Sequence, residues 1–167
     1  MRFGGMDDRN AYGTIEWSSM ANILSKGSGW QMAKLTPYFY SEDARAQAQF
    51  YVQALGGEIH NQMTYGQAPG TDEAMKDKII HMAFTAAGVN FFIADTMHEP
   101  PGRSTGFDLN LEFKTDEEAQ QAFAKLSEGG RVIMALEKQF WGSLFGRLED
   151  KFGIKWQIST EAQGNQG

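Results

Sequence analysis

The sequence predicts an α+β fold: two tandem β-α-β-β-β modules forming a curved, cup-like mixed sheet, with the helices on the outer face. Three observations predict it. Laying Asp43 on Asp116 also lays Ala46 on Ala119, Gln47 on Gln120, Phe50 on Phe123 and Gly56-Gly57 on Gly129-Gly130, so the chain repeats itself. Each copy begins with an alternating or aromatic run that suits a strand and continues into an amphipathic helical pattern. Three more strand-like runs follow each Gly-Gly. Four strands and one helix cannot cover both faces of a sheet, so pairing two units around a shared concave face is the economical arrangement.

Residues 1–31 stand outside the repeat and are punctuated by glycine and serine, with Ile15 to Leu24 as a short helical stretch. They are either a native appendage or residues carried over from expression. The domain spans 32–160, with module one at about 33–96, module two at about 106–160, and 161–167 as a flexible tail. In module one, Lys34 to Tyr40 reads as a strand, and Asp43 opens a helix because a carboxylate favours the positive end of the dipole. Ala46, Phe50 and Ala54 share its apolar face, and Gly56-Gly57 ends it. Strands follow at Glu58 to Tyr65, Lys78 to Thr85 and Val89 to Ala94. Module two repeats the order: a strand at Phe107 to Lys114, a helix opened by Asp116 with Ala119, Phe123 and Leu126 on one face, and Gly129-Gly130. Its last strands are Arg131 to Glu137, Leu144 to Leu148 and Lys155 to Ser159. Burying each helical phenylalanine contributes about 1.5–3 kcal/mol. Gly66 to Asp77 is an exposed hairpin connection or a mobile lid, and Met97 to Gly106 links the modules. The dispersed methionines read as core fillers.

Composition removes several functions. The chain has 167 residues and no cysteine, which excludes disulfides, thiolate nucleophiles and Cys-based metal sites. A net charge of -6, with the 15 Lys and Arg scattered, lacks the basic face that nucleic acid requires. No apolar run approaches a membrane span, and the start lacks a signal-peptide pattern, so the expectation is a cytoplasmic protein. No Gly-x-Ser-x-Gly elbow, phosphate loop or dinucleotide fingerprint is present.

The segments LTPYFYSEDARAQAQFYVQALGGEI, DKIIHMAF, LNLEF and FWGSLFGRLEDKFGIKWQI resemble the PhnB-like branch of the vicinal oxygen chelate superfamily, which includes glyoxalase I, extradiol dioxygenases and fosfomycin and bleomycin resistance proteins. The resemblance covers about Lys34 to Thr160 and implies paired β-α-β-β-β modules, usually as a homodimer. It also implies a divalent metal held by His, Glu or Gln from the first and last strand of each module. Those positions fall here at Leu35 or Thr36, Phe92, Asp108 or Leu109, and Gln157. Only Asp108 and Gln157 could touch a metal, too few donors for such a centre, so no metal and no cofactor are expected. PhnB-like domains also carry a ubiquinone-pathway methyltransferase label, but the chain has no glycine-rich strand-turn-helix for S-adenosylmethionine.

His81 alternates against Ile80 and Met82, which makes it either a cavity-lining general base or a strand histidine satisfied by a carboxylate. Glu112 shares a face with Asp108 and Asn110. A buried carboxylate there needs a partner, either the ligand or an intramodule cation such as Arg147. Phe140 and Trp141 form an aromatic wall for a ligand, or pack between modules or across a dimer, and Tyr65 and Trp156 share that ambiguity. His60 and His98 are expected to be exposed and inert. The ligand contacts expected are Tyr65, Phe92, Asp108, Asn110, Trp141 and Gln157. The leading expectation is a protein that binds an unidentified small molecule without a metal. One alternative is a metal-independent isomerase or lyase with His81 as base and Glu112 as acid or orienter. Another is a dimeric scaffold whose cup is filled by Phe91, Phe92 and Trp156.

Overall fold

The computed structural model describes residues 34–96, 102, 106–140 and 142–161. Contacts divide the chain into a unit ending at Leu35 and a unit from Thr36 onward, and both modules belong to the second. Module one comprises β1 (Tyr38–Ser41), α1 (Ala44–Leu55), β2 (Gly57–Thr64), β3 (Ile79–Ala86) and β4 (Val89–Asp95). Module two comprises β5 (Leu109–Phe113), α2 (Asp116–Leu126), β6 (Arg131–Lys138), β7 (Leu144–Glu149) and β8 (Lys155–Thr160). The tandem order expected from the repeat is therefore present. It forms two open four-stranded sheets, β1-β4-β3-β2 and β5-β8-β7-β6. In each, the strand before the helix lies parallel to the last strand and the remaining pairs are antiparallel. β1 starts later than Lys34 because Pro37 has no N–H to give the ladder; its carbonyl accepts from Phe92 N at 2.9 Å. No helix among the described residues is long and apolar enough to cross a membrane.

The two helices start by different devices. Asp43 caps α1 by accepting from Ala46 N at 3.0 Å, whereas Thr115 caps α2 in a reciprocal box with Glu118. Asp116 therefore sits one position further into its helix than Asp43, and the helical identities slip by a residue in space. As a result Ala119 is buried but its sequence match Ala46 is exposed. The buried face of α1 consists of Ala44, Gln47, Ala48, Tyr51 and Ala54, which corrects the expected Ala46-Phe50-Ala54 face. The glycine pairs do coincide. A Cβ on Gly57 would collide with the Thr85 carbonyl oxygen, and one on Gly130 with that of Glu149, so each helix returns to its sheet through a glycine touching backbone.

One hydrophobic core runs through both modules, on the helix-bearing side of each sheet. Phe91 stacks on Phe39 and Phe84 at 5.6 and 5.3 Å and meets the edge of Trp156 at 6.3 Å. Tyr51 of α1 packs on Trp156 at 5.5 Å and donates its hydroxyl to Asp150 Oδ2 at 2.7 Å. The same oxygen accepts from Trp156 Nε1 at 2.8 Å, and Oδ1 accepts from the backbone N–H groups of Phe152 and Ile154. Trp156 and Phe91 are therefore core residues, which removes Trp156 from any ligand wall and both residues from the filling of a cup.

Candidate functional site

Because α1 and α2 cover one face of their sheets and the modules join through that side, strand alternation leaves each sheet an open opposite face. On module one this face carries Tyr38 and Tyr40 from β1, His81 and Ala83 from β3, and Phe92 from β4, with Met63 beside His81 on β2. The Tyr38 ring centroid lies 5.3 Å from Tyr40, 5.8 Å from His81 and 6.1 Å from Phe92, and His81 lies 4.9 Å from Phe92. Tyr38 Oη and His81 Nδ1 are hydrogen-bonded at 3.3 Å. Partial burial, and then the neighbouring phenols Tyr40 and Tyr65, raise the Tyr38 pKa, so Tyr38 keeps its proton. Tyr38, Tyr40 and Met63 are nonetheless exposed, which leaves an aromatic surface open to contact.

The open face of module two is polar. Asp108, with its side chain only 8% exposed, receives Arg147 Nε at 2.8 Å, Arg147 Nη2 at 2.6 Å and Gln157 Nε2 at 3.2 Å, all on Oδ2. Burial pushes the Asp108 carboxyl up. The hydrogen bonds from Gln157 and Arg147 and the charges of Arg147 and Lys155 outweigh it, and the net pKa is lowered. Asn110 accepts from Ser159 Oγ at 3.5 Å on the same face, and Arg131 pairs with the buried Glu149 at 2.8 Å.

The structure thus groups Phe92 and His81 on one face and Asp108, Asn110 and Gln157 on the other. Tyr65 opens a short 3₁₀ turn after β2, at the margin of the aromatic face. His81 has Tyr38, not a carboxylate, as its partner. Glu112 is exposed on β5 and does not hold Arg147, because the guanidinium is taken by Asp108, which is nearer the β7 position of Arg147. His81 and Glu112 lie on different sheets. His60 touches Thr85 and Glu58 on the rim of module one. Trp141 and His98 lie outside the described residues. Phe140 is 96% exposed. The Gly66 to Asp77 connection is tied at its ends by Tyr65 N to Lys78 O at 3.0 Å and Arg45 Nη1 to Asp77 O at 2.7 Å. A groove of about 560 Å³ lies elsewhere, between the end of α1, the β3–β4 turn, β5 and α2; Asn110 and Glu112 reach it, but Tyr65, Phe92, Asp108 and Gln157 do not.

Sequence reasoning passed over Tyr38, Tyr40 and the pairing of Arg147 with Asp108. The signal for the tyrosines is the Tyr-Phe-Tyr alternation of β1, which puts both hydroxyls on one face. For Arg147 it is the β7–β8 register opposite Gln157.

A divalent centre of the kind the resemblance implies does not fit these residues. Module one offers Phe92 at its last-strand position, and in module two the lone pairs of Asp108 Oδ2 already face a guanidinium and an amide. No three His, Cys, Asp or Glu side chains converge among the described residues.

The comparisons with known proteins agree with this architecture. Protein YjdN of Escherichia coli (strain K12) is 26% identical over 141 residues, covering 77% of this chain and 96% of that protein. The crystal structure of protein PA1353 from Pseudomonas aeruginosa matches with a TM-score of 0.68 at 29% identity, covering 78% of this chain and 98% of that one. A PhnB protein from Bacillus cereus, whose description carries a methyltransferase name, matches with a TM-score of 0.65 at 26% identity, over 77% of this chain and 100% of that one. Residues 34–158 match the Glyoxalase/Bleomycin resistance protein/Dioxygenase superfamily, and the chain belongs to it.

Proposed function

We propose that the protein binds a small molecule, without a metal, in a recess that two copies of the chain complete together. One observation carries this reading: the modules join back to back through Tyr51, Asp150 and Trp156, so the aromatic face of module one and the polar face of module two cannot close on each other within a chain. A second copy supplies the missing wall. Module one of one copy then faces module two of the other, and a twofold arrangement repeats the site. The exposed Ile59 and Met63 on β2 and Val132, Ile133 and Met134 on β6 give both edge strands apolar surface for such a contact. A binding role is preferred to a catalytic one because the hydrogen-bond partner of His81 is the Tyr38 phenol and not a carboxylate that would orient it as a base. A methyltransferase role has no support among the described residues, since the strand-to-helix turns, Glu42-Asp43 and Lys114-Thr115, carry no glycine to let a nucleotide approach the backbone.

Sedimentation should give a dimer, and mixing should reveal the shared site. With the fluorescent dye 1-anilinonaphthalene-8-sulfonate as probe, a Phe92→Ala variant and an Arg147→Met variant are each expected to bind weakly. Exchanging subunits between them regenerates intact sites and restores signal. A monomer that binds the dye fully, or a mixture no better than its components, refutes the shared site.

A further inference from the structure

We propose that the ligand carries an anionic oxygen group, a carboxylate, sulfonate or phosphonate, and that the Arg147 guanidinium receives it while the ligand's planar or apolar part lies on Tyr38, His81 and Phe92. This rests on the binding reading above and adds the chemical class of the ligand.

The geometry of Arg147 supports the assignment. Nε and Nη2 are both spent on a single oxygen of Asp108, which fixes the plane of the guanidinium and leaves Nη1 outside these bonds. The side chain is 36% exposed although its partner is only 8% exposed, so the arginine keeps solvent-facing surface beyond a shielded pair. Asp108 is itself held by Gln157. An arginine oriented by such a carboxylate loses little rotamer freedom when its Nη1 N–H donors receive a second anion, which is an advantage over a loose lysine. The local charge agrees. Lys155 is close enough to act on Asp108, and Glu149 is matched by Arg131, so two cations surround one carboxylate in a chain whose net charge is -6. Glu112 lies further along β5, toward the groove by α2.

The position matters as much as the charge. Asp108 and Gln157 are the residues that could have offered oxygen to a divalent cation, and the guanidinium lies against Asp108 instead. A built-in cation therefore stands where a bound one does not fit, and it offers N–H donors to a ligand oxygen without needing a loaded metal.

Two dyes of nearly the same shape separate the claims: 1-anilinonaphthalene-8-sulfonate and its neutral counterpart N-phenyl-1-naphthylamine. The wild-type protein is expected to prefer the sulfonate by on the order of tenfold. Arg147→Met should erase that preference while leaving the neutral dye bound, and Arg147→Lys should keep part of it. Asp108→Asn should move it the other way, tightening the sulfonate several-fold because a competing negative charge is gone. Equal affinity for both dyes, or an Asp108→Asn variant that weakens the sulfonate as Arg147→Met does, overturns the anion assignment but leaves the binding site standing. Binding of neither dye overturns both.

Discussion

At the scale of single residues, two adjacent glycines share a positive φ, 71° and 154°, but differ in what a side chain would meet. Gly56 has φ of 71° and ψ of 135°, a positive-φ region outside the left-handed helical well, and nothing within 4 Å of a notional Cβ, so an alanine there meets only a backbone penalty of about 1–3 kcal/mol. Gly57 faces the Thr85 carbonyl across the β2–β3 pair, and a methyl there must push two strands apart, at a cost of about 3 kcal/mol. Urea midpoints for Gly56→Ala and Gly57→Ala should therefore differ clearly, with Gly57→Ala the worse; equal losses would show that φ, not crowding, selects both. Gly130 predicts the same in module two because its Cβ would strike Glu149. Ala87 is the converse case. It holds φ of 49° in the tight turn between β3 and β4, where Gly88 follows at 74°. Replacing it with glycine relieves strain and should raise the midpoint, with a gain on the order of 0.5–1 kcal/mol, since φ > 0 costs glycine little. A lower midpoint would mean that the Ala87 methyl contributes more through packing than it costs in dihedral strain.

At the scale of elements, alternation and punctuation carried most of the information. Every strand could be located within a few residues because period-two patterns ended at Gly-Gly, Pro or a charged turn, and the strand order followed from the repeat. The helical face was less legible. Equal residue types at Ala46 and Ala119 implied equal burial, yet a threonine cap on α2 and an aspartate cap on α1 shift the helices by one position, and that shift exceeds a quarter turn. The caps also differ in strength. Thr115→Ala breaks a reciprocal box and exposes the first-turn N–H of Glu118, at about 1 kcal/mol. Glu118→Ala should remove a smaller part of the same box, and a double variant should cost less than the two separately. Strict additivity in thermal midpoints would show that the two hydrogen bonds form independently. The candidate site was only partly legible for a different reason. Face membership of Asp108, Asn110 and Gln157 follows from alternation, but which cation each meets depends on strand stagger, and stagger paired Arg147 with Asp108 instead of Glu112.

At the scale of the whole molecule, two carboxyl groups tilt stability in opposite directions with pH. Asp150 sits where the modules join, and burial raises its pKa above the usual 3.8 despite the hydrogen bonds from Trp156, Tyr51 and the backbone. A raised folded-state pKa contributes stability that is fully present below the unfolded value and is lost as pH rises through the folded one. Asp108 has a lowered pKa, so its contribution is present above its unfolded value near 3.8 and is lost as pH falls through the folded one. Asp108→Asn should therefore cost most at neutral pH and least in acid. Asp150→Asn should cost most in acid and least toward neutrality, on top of a pH-independent loss of about 1–3 kcal/mol because one amide oxygen cannot replace two carboxylate oxygens as acceptors. Urea midpoints for the two variants, taken from about pH 3 to pH 7 and expressed as differences from wild type, should slope in opposite directions with pH. Parallel differences would show that neither carboxyl changes its proton affinity on folding. Because the core is continuous through Tyr51 and Trp156, both variants should unfold in one transition, reporting the joined modules and not one of them.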